Sequence, residues 1–331
     1  MNHQRIAIIG GGSWATALAK LFLNNVKQIN WFIRKEEDIE HFKTYGTNPK
    51  YLSSVEFNKN QIVFYASIEA CVEASDYIVL AIPSAFLHQT LKSIPPKKLA
   101  DKICFSAIKG IVPQYNLIVG EYLHQHYHVP LNHIGVITGP CHAEEVALEK
   151  LSYLTIASIN TDNAAFIGQH LNCRYLKTTL SDDIYGTEYS AVLKNVIAVA
   201  GGICHGLGYG DNFFAVLVSN AIQEIKRFVD TVHPIDRDIK ASAYLGDLLV
   251  TTYSHFSRNR LFGTMLGKGY SVKQAQLEMN MIAEGYYAVK CVYEINKKHK
   301  VHMPITTCVY NIIYLGHDVR REVLELTNLL S

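Results

Sequence analysis

The sequence predicts an α/β domain over residues 1–181 followed by an all-helical domain over 182–331. Three observations carry that reading. β-rich apolar runs alternate with helical stretches through the first half, the β signal stops after about Ser181, and nearly everything beyond has helical spacing or is a glycine-marked loop. With 331 residues, the chain is long enough for two domains with cores of their own.

Strands are predicted at 6–10, 29–33, 61–65, 77–82, 102–107, 134–139, 154–158 and 175–180. Several, such as YIVLAI at 77–82, are continuous apolar runs rather than alternating ones. Strands of that kind are covered on both faces, as in a parallel sheet wrapped by helices. The first runs straight into GGGSWATALAKLF, which holds the pattern G-x-G-x-x-A as Gly10, Gly12 and Ala15. Gly10 lets the chain turn sharply, Gly12 lets the backbone approach a pyrophosphate, and Ala15 lets helix and strand pack closely. The phosphates would sit on the helix N-terminus. Lying between a strand and a helix at the head of a sheet domain, this turn predicts a Rossmann-like dinucleotide-binding domain.

The end of the second strand decides which dinucleotide. An acidic residue there takes the ribose 2′-hydroxyl of NAD, whereas an arginine accommodates the 2′-phosphate of NADP. The chain reads WFIRKEED, so Arg34 and Lys35 come first, and Glu36, Glu37 and Asp38 fall where the next helix begins. That order favours NADP(H), with NAD(H) left open. Against it stands the reading of Arg34 and Lys35 as surface charges balanced by the three acids. The fifth strand ends in SAIKG, with Lys109, and the sixth in TGPCHAEE, where Gly139 and Pro140 break the strand and Ala143 and Glu144 open a helix. Ligands of open α/β sheets bind outside the carboxyl ends of the strands, so both segments point at the crevice of the glycine turn.

In the helical half, polar clusters stand in apolar surroundings: Lys194-Asn195, Gly246-Asp247 with Thr251, and Ser257-Arg258-Asn259. Lys194 lies in EYSAVLKNVIAVAGG, a helix apolar on nearly every side. Helix geometry alone leaves two readings open: an ammonium stretched out to water, or one facing an internal cavity. Arginine beside asparagine on a glycine-flanked segment suits a phosphate clamp, because the guanidinium fork matches phosphate oxygens.

Composition narrows the partners. Hydrophobic residues at 49% against 18% charged exclude a disordered chain. A net charge of +2 gives no global reason to expect a nucleic acid or an acidic membrane, so the expected partner is a small molecule. Seven cysteines scattered singly, without a C-x-x-C pair, fit free thiols in a reducing cytosol. The fifteen histidines have no ligand spacing, so no metal is expected. No apolar run approaches the roughly 18 residues of a membrane span, and the start of the chain moves at once into a strand, which predicts a cytoplasmic protein.

The motifs GGGSWATALA, AIPSAF, SAIKGI, TGPCHAEEVA, LKNVIAVAGGICHGLGYGDN, GDLLVTTYSHFSRNRLFG, AEGYYAVK and MPI occur in the order found in NAD(P)-dependent glycerol-3-phosphate dehydrogenases. Over essentially its whole length the chain most resembles the bacterial cytosolic type. The resemblance implies an oxidoreductase that reversibly reduces dihydroxyacetone phosphate to sn-glycerol 3-phosphate with NAD(P)H and feeds glycerophospholipid synthesis. It implies Lys194 as the general acid and base, with Lys109 and Asp247 as charged companions. Gly139, Cys141, Arg258 and Asn259 fall on substrate-contacting positions, with Ser257 beside them and Thr251 as a further candidate. Gly10, Gly12, Ser13, Trp14, Arg34, Ala143, Ile282 and Glu284 fall on cofactor positions, and Lys109 and Arg258 on positions that meet both ligands. Departures from the family pattern are Ala15 for glycine, Cys141-His142 for serine or threonine followed by phenylalanine, His205 for aspartate, and Ser219-Asn220 for threonine-arginine. Two other readings stay open: a dehydrogenase of a β-hydroxyacid or hydroxyacyl thioester, and an NADP-binding sensor without turnover. The tyrosine-rich apolar helices of the second domain serve either a core or a homodimer.

Overall fold

The computed structural model describes residues 4–279 and 283–331. The chain divides into two compact units, Met1–Ile108 with Val119–Ile184, and Lys109–Ile118 with Tyr185–Ser331. Ten strands occur among the described residues: β1 (Ile6–Ile9), β2 (Ile29–Phe32), β3 (Ile62–Tyr65), β4 (Tyr77–Leu80), β5 (Ile103–Ser106), β6 (Ile111–Val112), β7 (Leu117–Ile118), β8 (Ile134–Thr138), β9 (Ser152–Ser158) and β10 (Leu176–Ser181).

Eight of these form the sheet of the first unit, in the order β10-β9-β8-β5-β4-β1-β2-β3. Every residue of β1, β2, β4 and β8 is buried, as the unbroken apolar runs require of strands covered on both faces. Each predicted run forms a strand. Gly10, Ile33, Ile82 and Gly139 lie just beyond the ends of theirs. All neighbouring strands are parallel except β8 and β9, which are antiparallel. The connection from β8 to β9 carries the five-residue helix Ala143–Ala147, and β10 returns parallel to β9 after the helix Thr161–Leu171.

Among its described residues, the second unit has helices as its regular structure apart from the hairpin β6–β7. The hairpin comes from the stretch IVPQYNLI, two short apolar pairs around a turn. Ile111 and Ile118 are buried in one cluster with Leu193, Val196, Phe228 and Val289. Residues 109–118, placed by sequence reading before the boundary at 181, thus belong with the helices.

The long helix Ile184–Gly206 is the axis of this unit, which explains why it is apolar all round. Gly202 and Gly206 on it meet Gly263 and Gly267 on the helix Arg258–Gly267. A Cβ on Gly202 would lie 2.1 Å from the Arg260 carbonyl oxygen, and one on Gly263 would lie 2.1 Å from that of Val199. Glycines four residues apart share a helix face, so the two backbones touch along a seam that no side chain could enter. No helix among the described residues is long and apolar enough to cross a membrane.

Candidate active site

The seam brings the N-terminal turn of Arg258–Gly267 towards the middle of Ile184–Gly206, where Lys194 lies. Lys194 is only 3% exposed, so its ammonium does not reach water. It donates a hydrogen bond to Oδ1 of Asp247, a carboxylate 1% exposed. A single turn of π-helix, Ser242–Gly246, runs directly into the helix Asp247–Tyr253 and presents Asp247 as its first residue. π turns of this kind re-aim side chains and recur at functional sites. Lys109 stands just ahead of the hairpin, partly exposed, with Nζ 3.4 Å from Oδ2 of Asp247.

Two ammonium groups therefore share one buried carboxylate. Burial pushes the Lys194 ammonium down from 10.5 to about 7; Asp247 opposes that drop and Lys109 adds to it. Burial alone would raise the Asp247 carboxyl, but Lys109 and Lys194 together hold it below its ordinary value. The result is a lysine that exchanges its proton near neutral pH beside a carboxylate that stays ionised. A buried group tuned in this way suits general acid and base work.

A chain of amides fixes the surroundings. The Gly285 N–H donates to Oδ1 of Asn259 (2.9 Å), Nδ2 of Asn259 donates to Oδ1 of Asn195 (2.8 Å), and Nδ2 of Asn195 donates to the Lys109 carbonyl (2.7 Å). Three segments distant in sequence are thereby tied to the turn of helix that carries Lys194. Asn195 is the middle of this chain of amides, and the predicted set leaves it out. Its signal was an asparagine beside the lysine in an apolar helix.

Of the predicted residues in this unit, Lys109, Lys194, Asp247 and Asn259 are joined through these bonds. Thr251 lies buried one turn after Asp247. Ser257 caps the helix Arg258–Gly267, its side chain accepting from the Arg260 N–H at 3.3 Å, and Arg258 is that helix's exposed first residue. Glu284 opens the helix Glu284–His299 next to Gly285. Ile282 lies outside the described residues.

The remaining predicted residues belong to the first unit, at the carboxyl ends of its strands. Gly10 follows β1 with φ +133°, and a Cβ there would lie 2.4 Å from the Ala81 carbonyl oxygen. Gly12 precedes the helix Ser13–Phe22, whose second residue is Trp14, and no heavy atom comes within 4 Å of the place its Cβ would occupy. The N–H groups of Gly11 and Gly12 have no hydrogen-bond partner among the described residues. Open space beside unpaired donors at a helix N-terminus fits a pyrophosphate. Arg34 is exposed just after β2, and neither it nor Lys35 is paired with Glu36, Glu37 or Asp38; Asp38 pairs with Lys50 at 2.8 Å. Gly139 follows β8 with φ +119°, Cys141 is buried after it, and Ala143 opens the helix Ala143–Ala147. Among the described residues no three His, Cys, Asp or Glu are grouped to hold a metal ion.

Comparison with known proteins agrees with both units. The family model of the NAD-dependent glycerol-3-phosphate dehydrogenase N-terminus matches residues 5–164, and that of the C-terminus matches 183–324. A glycerol-3-phosphate dehydrogenase [NAD(P)+] of Clostridium botulinum is 33% identical over 98% of this chain and 97% of its own length. One of Chlorobium limicola is 31% identical over 98% and 97%. The crystal structure of glycerol-3-phosphate dehydrogenase from Coxiella burnetii covers 98% of each chain at 29% identity, with a TM-score of 0.90. These matches favour the three-carbon phosphate over the β-hydroxyacid and hydroxyacyl alternatives. Matched in order from end to end, the chain belongs to the NAD-dependent glycerol-3-phosphate dehydrogenase family.

Proposed function

We propose that this enzyme reduces dihydroxyacetone phosphate to sn-glycerol 3-phosphate, reversibly and with NADPH preferred over NADH, and that Lys194 is its general acid and base. The observation that carries the reading is the buried Lys194–Asp247 pair with Lys109 as second cation. An NADP-binding sensor without turnover would have no use for a lysine brought to about pH 7.

The nicotinamide, when bound, supplies the hydride. As the substrate carbonyl carbon is reduced, its oxygen gains negative charge, and Lys194 stabilises that charge and then donates its proton. Lys109 polarises the same oxygen and keeps Asp247 neutralised once Lys194 has lost its charge. In the reverse direction neutral Lys194 removes the hydroxyl proton. Arg258 and Asn259 grip the phosphate, with Thr251, Ser257, Gly139 and Cys141 around the substrate. Gly10, Gly12, Ser13, Trp14, Arg34, Ala143 and Glu284 serve the cofactor. Most cofactor residues fall in 1–181 and most catalytic and phosphate-binding residues in 182–331, with Lys109, Gly139, Cys141 and Glu284 crossing that division. The same reading puts the enzyme in the cytosol, supported by seven free cysteines, as a homodimer that feeds phospholipid synthesis.

Rates measured side by side on NADH and NADPH with dihydroxyacetone phosphate test it. Reduction should fall as pH rises through about 7, because it needs protonated Lys194, while oxidation of glycerol 3-phosphate should rise over the same range. Parallel pH profiles in the two directions would remove Lys194 from the proton transfer.

Arg34→Ala should raise the KM for NADPH far more than that for NADH, since one charge-assisted phosphate contact is worth about 1.5–3 kcal/mol. Equal changes for both cofactors would leave the 2′-phosphate without its partner.

A further inference from the structure

A turn of three consecutive glycines has no steric preference of its own, so something else must aim its N–H groups. Peptide planarity supplies the rule. Within each peptide unit the carbonyl and the following N–H point in opposite directions, so tying the carbonyl of one residue sets the N–H of the next. In this turn all three carbonyls are tied. The Trp31 indole N–H, from β2, donates to the Gly10 carbonyl at 2.7 Å. Asn48 Nδ2 donates to the Gly11 carbonyl at 3.1 Å and to Thr16 Oγ1 at 2.8 Å. Thr16 Oγ1 in turn donates to the Gly12 carbonyl at 2.9 Å.

Trp31, Asn48 and Thr16 are all buried. Asn48 is itself locked, because its Oδ1 accepts the N–H groups of Lys50 (2.9 Å) and Tyr51 (3.1 Å). Trp31 is held by aromatic contacts with Phe42, Phe57 and Phe64. The three N–H groups set by these carbonyls are those of Gly11, Gly12 and Ser13. None has a partner among the described residues.

We infer that Trp31 and Asn48 are positioning residues for the cofactor: by drawing the Gly10 and Gly11 carbonyls inward they aim the N–H groups of Gly11 and Gly12 outward, ready for the pyrophosphate. The inference rests on the proposed reading of the turn as the pyrophosphate site. A preformed anion cradle avoids the cost of ordering flexible glycines when the ligand arrives. Asn48 lies beyond the helix Glu36–Tyr45, outside the glycine motif, and Trp31 is at a strand position where any large apolar side chain would serve packing alone.

Two variants of the full-length enzyme test this. Trp31→Phe deletes the indole N–H while keeping an aromatic ring. Asn48→Ser keeps an oxygen for the Lys50 N–H but cannot reach the Gly11 carbonyl. The dissociation constant for NADPH is measured by calorimetry, together with kcat, both KM values and thermal unfolding. In each folded variant the dissociation constant for NADPH should rise about tenfold or more, the scale of one lost buried hydrogen bond, with kcat at saturating NADPH and the KM for dihydroxyacetone phosphate within about twofold to threefold of the parent. A purely structural role would lower the unfolding temperature without that split. A folded Trp31→Phe or Asn48→Ser protein that binds NADPH as the parent does overturns the inference.

Gly12→Val separates this from failure of the reading beneath it. No heavy atom lies within 4 Å of the place a Cβ would take there, so the substitution should abolish NADPH binding in a folded protein only if the pyrophosphate sits there. Normal binding by Gly12→Val would overturn both readings. Loss of binding in Gly12→Val, with normal binding in the other two, would overturn the positioning role alone.

Discussion

Lys194→Met is expected to leave the protein folded and able to bind NADPH while kcat falls about 10²–10⁴-fold, the range for a lost general acid. The larger end is expected, because in the proposed mechanism the same ammonium also stabilises the developing oxyanion. Methionine keeps the length and helix propensity of lysine. Asp247 is not stranded by the change, since Lys109 Nζ remains 3.4 Å away. Stability carries a second signature. Between about pH 7 and the ordinary lysine value of 10.5 the unfolded chain holds the Lys194 proton and the native state does not. The parent should therefore gain stability as pH rises through that window, and the burial penalty should be felt in full below it. The variant should lack that slope. A folded variant that keeps more than about a tenth of parental kcat would send Lys194 back to a packing role.

Gly263→Ala is expected to cost about 3 kcal/mol, the upper end for overpacking, because a Cβ at Gly263 would lie 2.1 Å from the Val199 carbonyl oxygen and backbone has nowhere to go. The loss should reach the site as well. The helices Ile184–Gly206 and Arg258–Gly267 carry Asn195 and Asn259, whose hydrogen bond is 2.8 Å long. Prising the seam apart should lengthen that bond and lower kcat/KM. Gly210→Ala, where no heavy atom lies within 4 Å of the added Cβ, is the matched control. Denaturant titration of the two variants decides it, and equal stability would mean that the seam yields without cost.

Much of this was legible in the chain itself. Several of the sheet strands, such as β1 and β4, are unbroken apolar runs, and such runs have few other ways to fold between turns. Lys194 stood out because a cation in an apolar helix has to be accounted for. Asp247 stood out as a polar residue in apolar surroundings, but its tie to Lys194 came only from the family resemblance: spacing says nothing of it, and only tertiary structure brings Asp247 to a lysine 53 positions earlier. The π turn that presents it has no sequence signature. Asn195 looked like a neighbour of the lysine rather than the middle of an amide chain, since its partners, Lys109 and Asn259, lie on other segments. The antiparallel direction of β9 leaves no mark in the residues, since an apolar run reads the same whichever way the strand points.

Because Lys109–Ile118 belongs to the helical unit, that unit is not a continuous piece of chain. Its first strand pair is made well before its helices and then waits, across 119–184, for them to follow. Such a unit has to close a long loop before its core contacts can reward it, and loop closure of that kind slows folding. A fragment cut at the apparent boundary, 182–331, would lack Ile111 and Ile118 and leave a hole among Leu193, Val196 and Val289. It would also arrive with one ammonium fewer beside Asp247. The folding of the second unit and the charge around its buried Asp247 are thus both held by ten residues encoded inside the first.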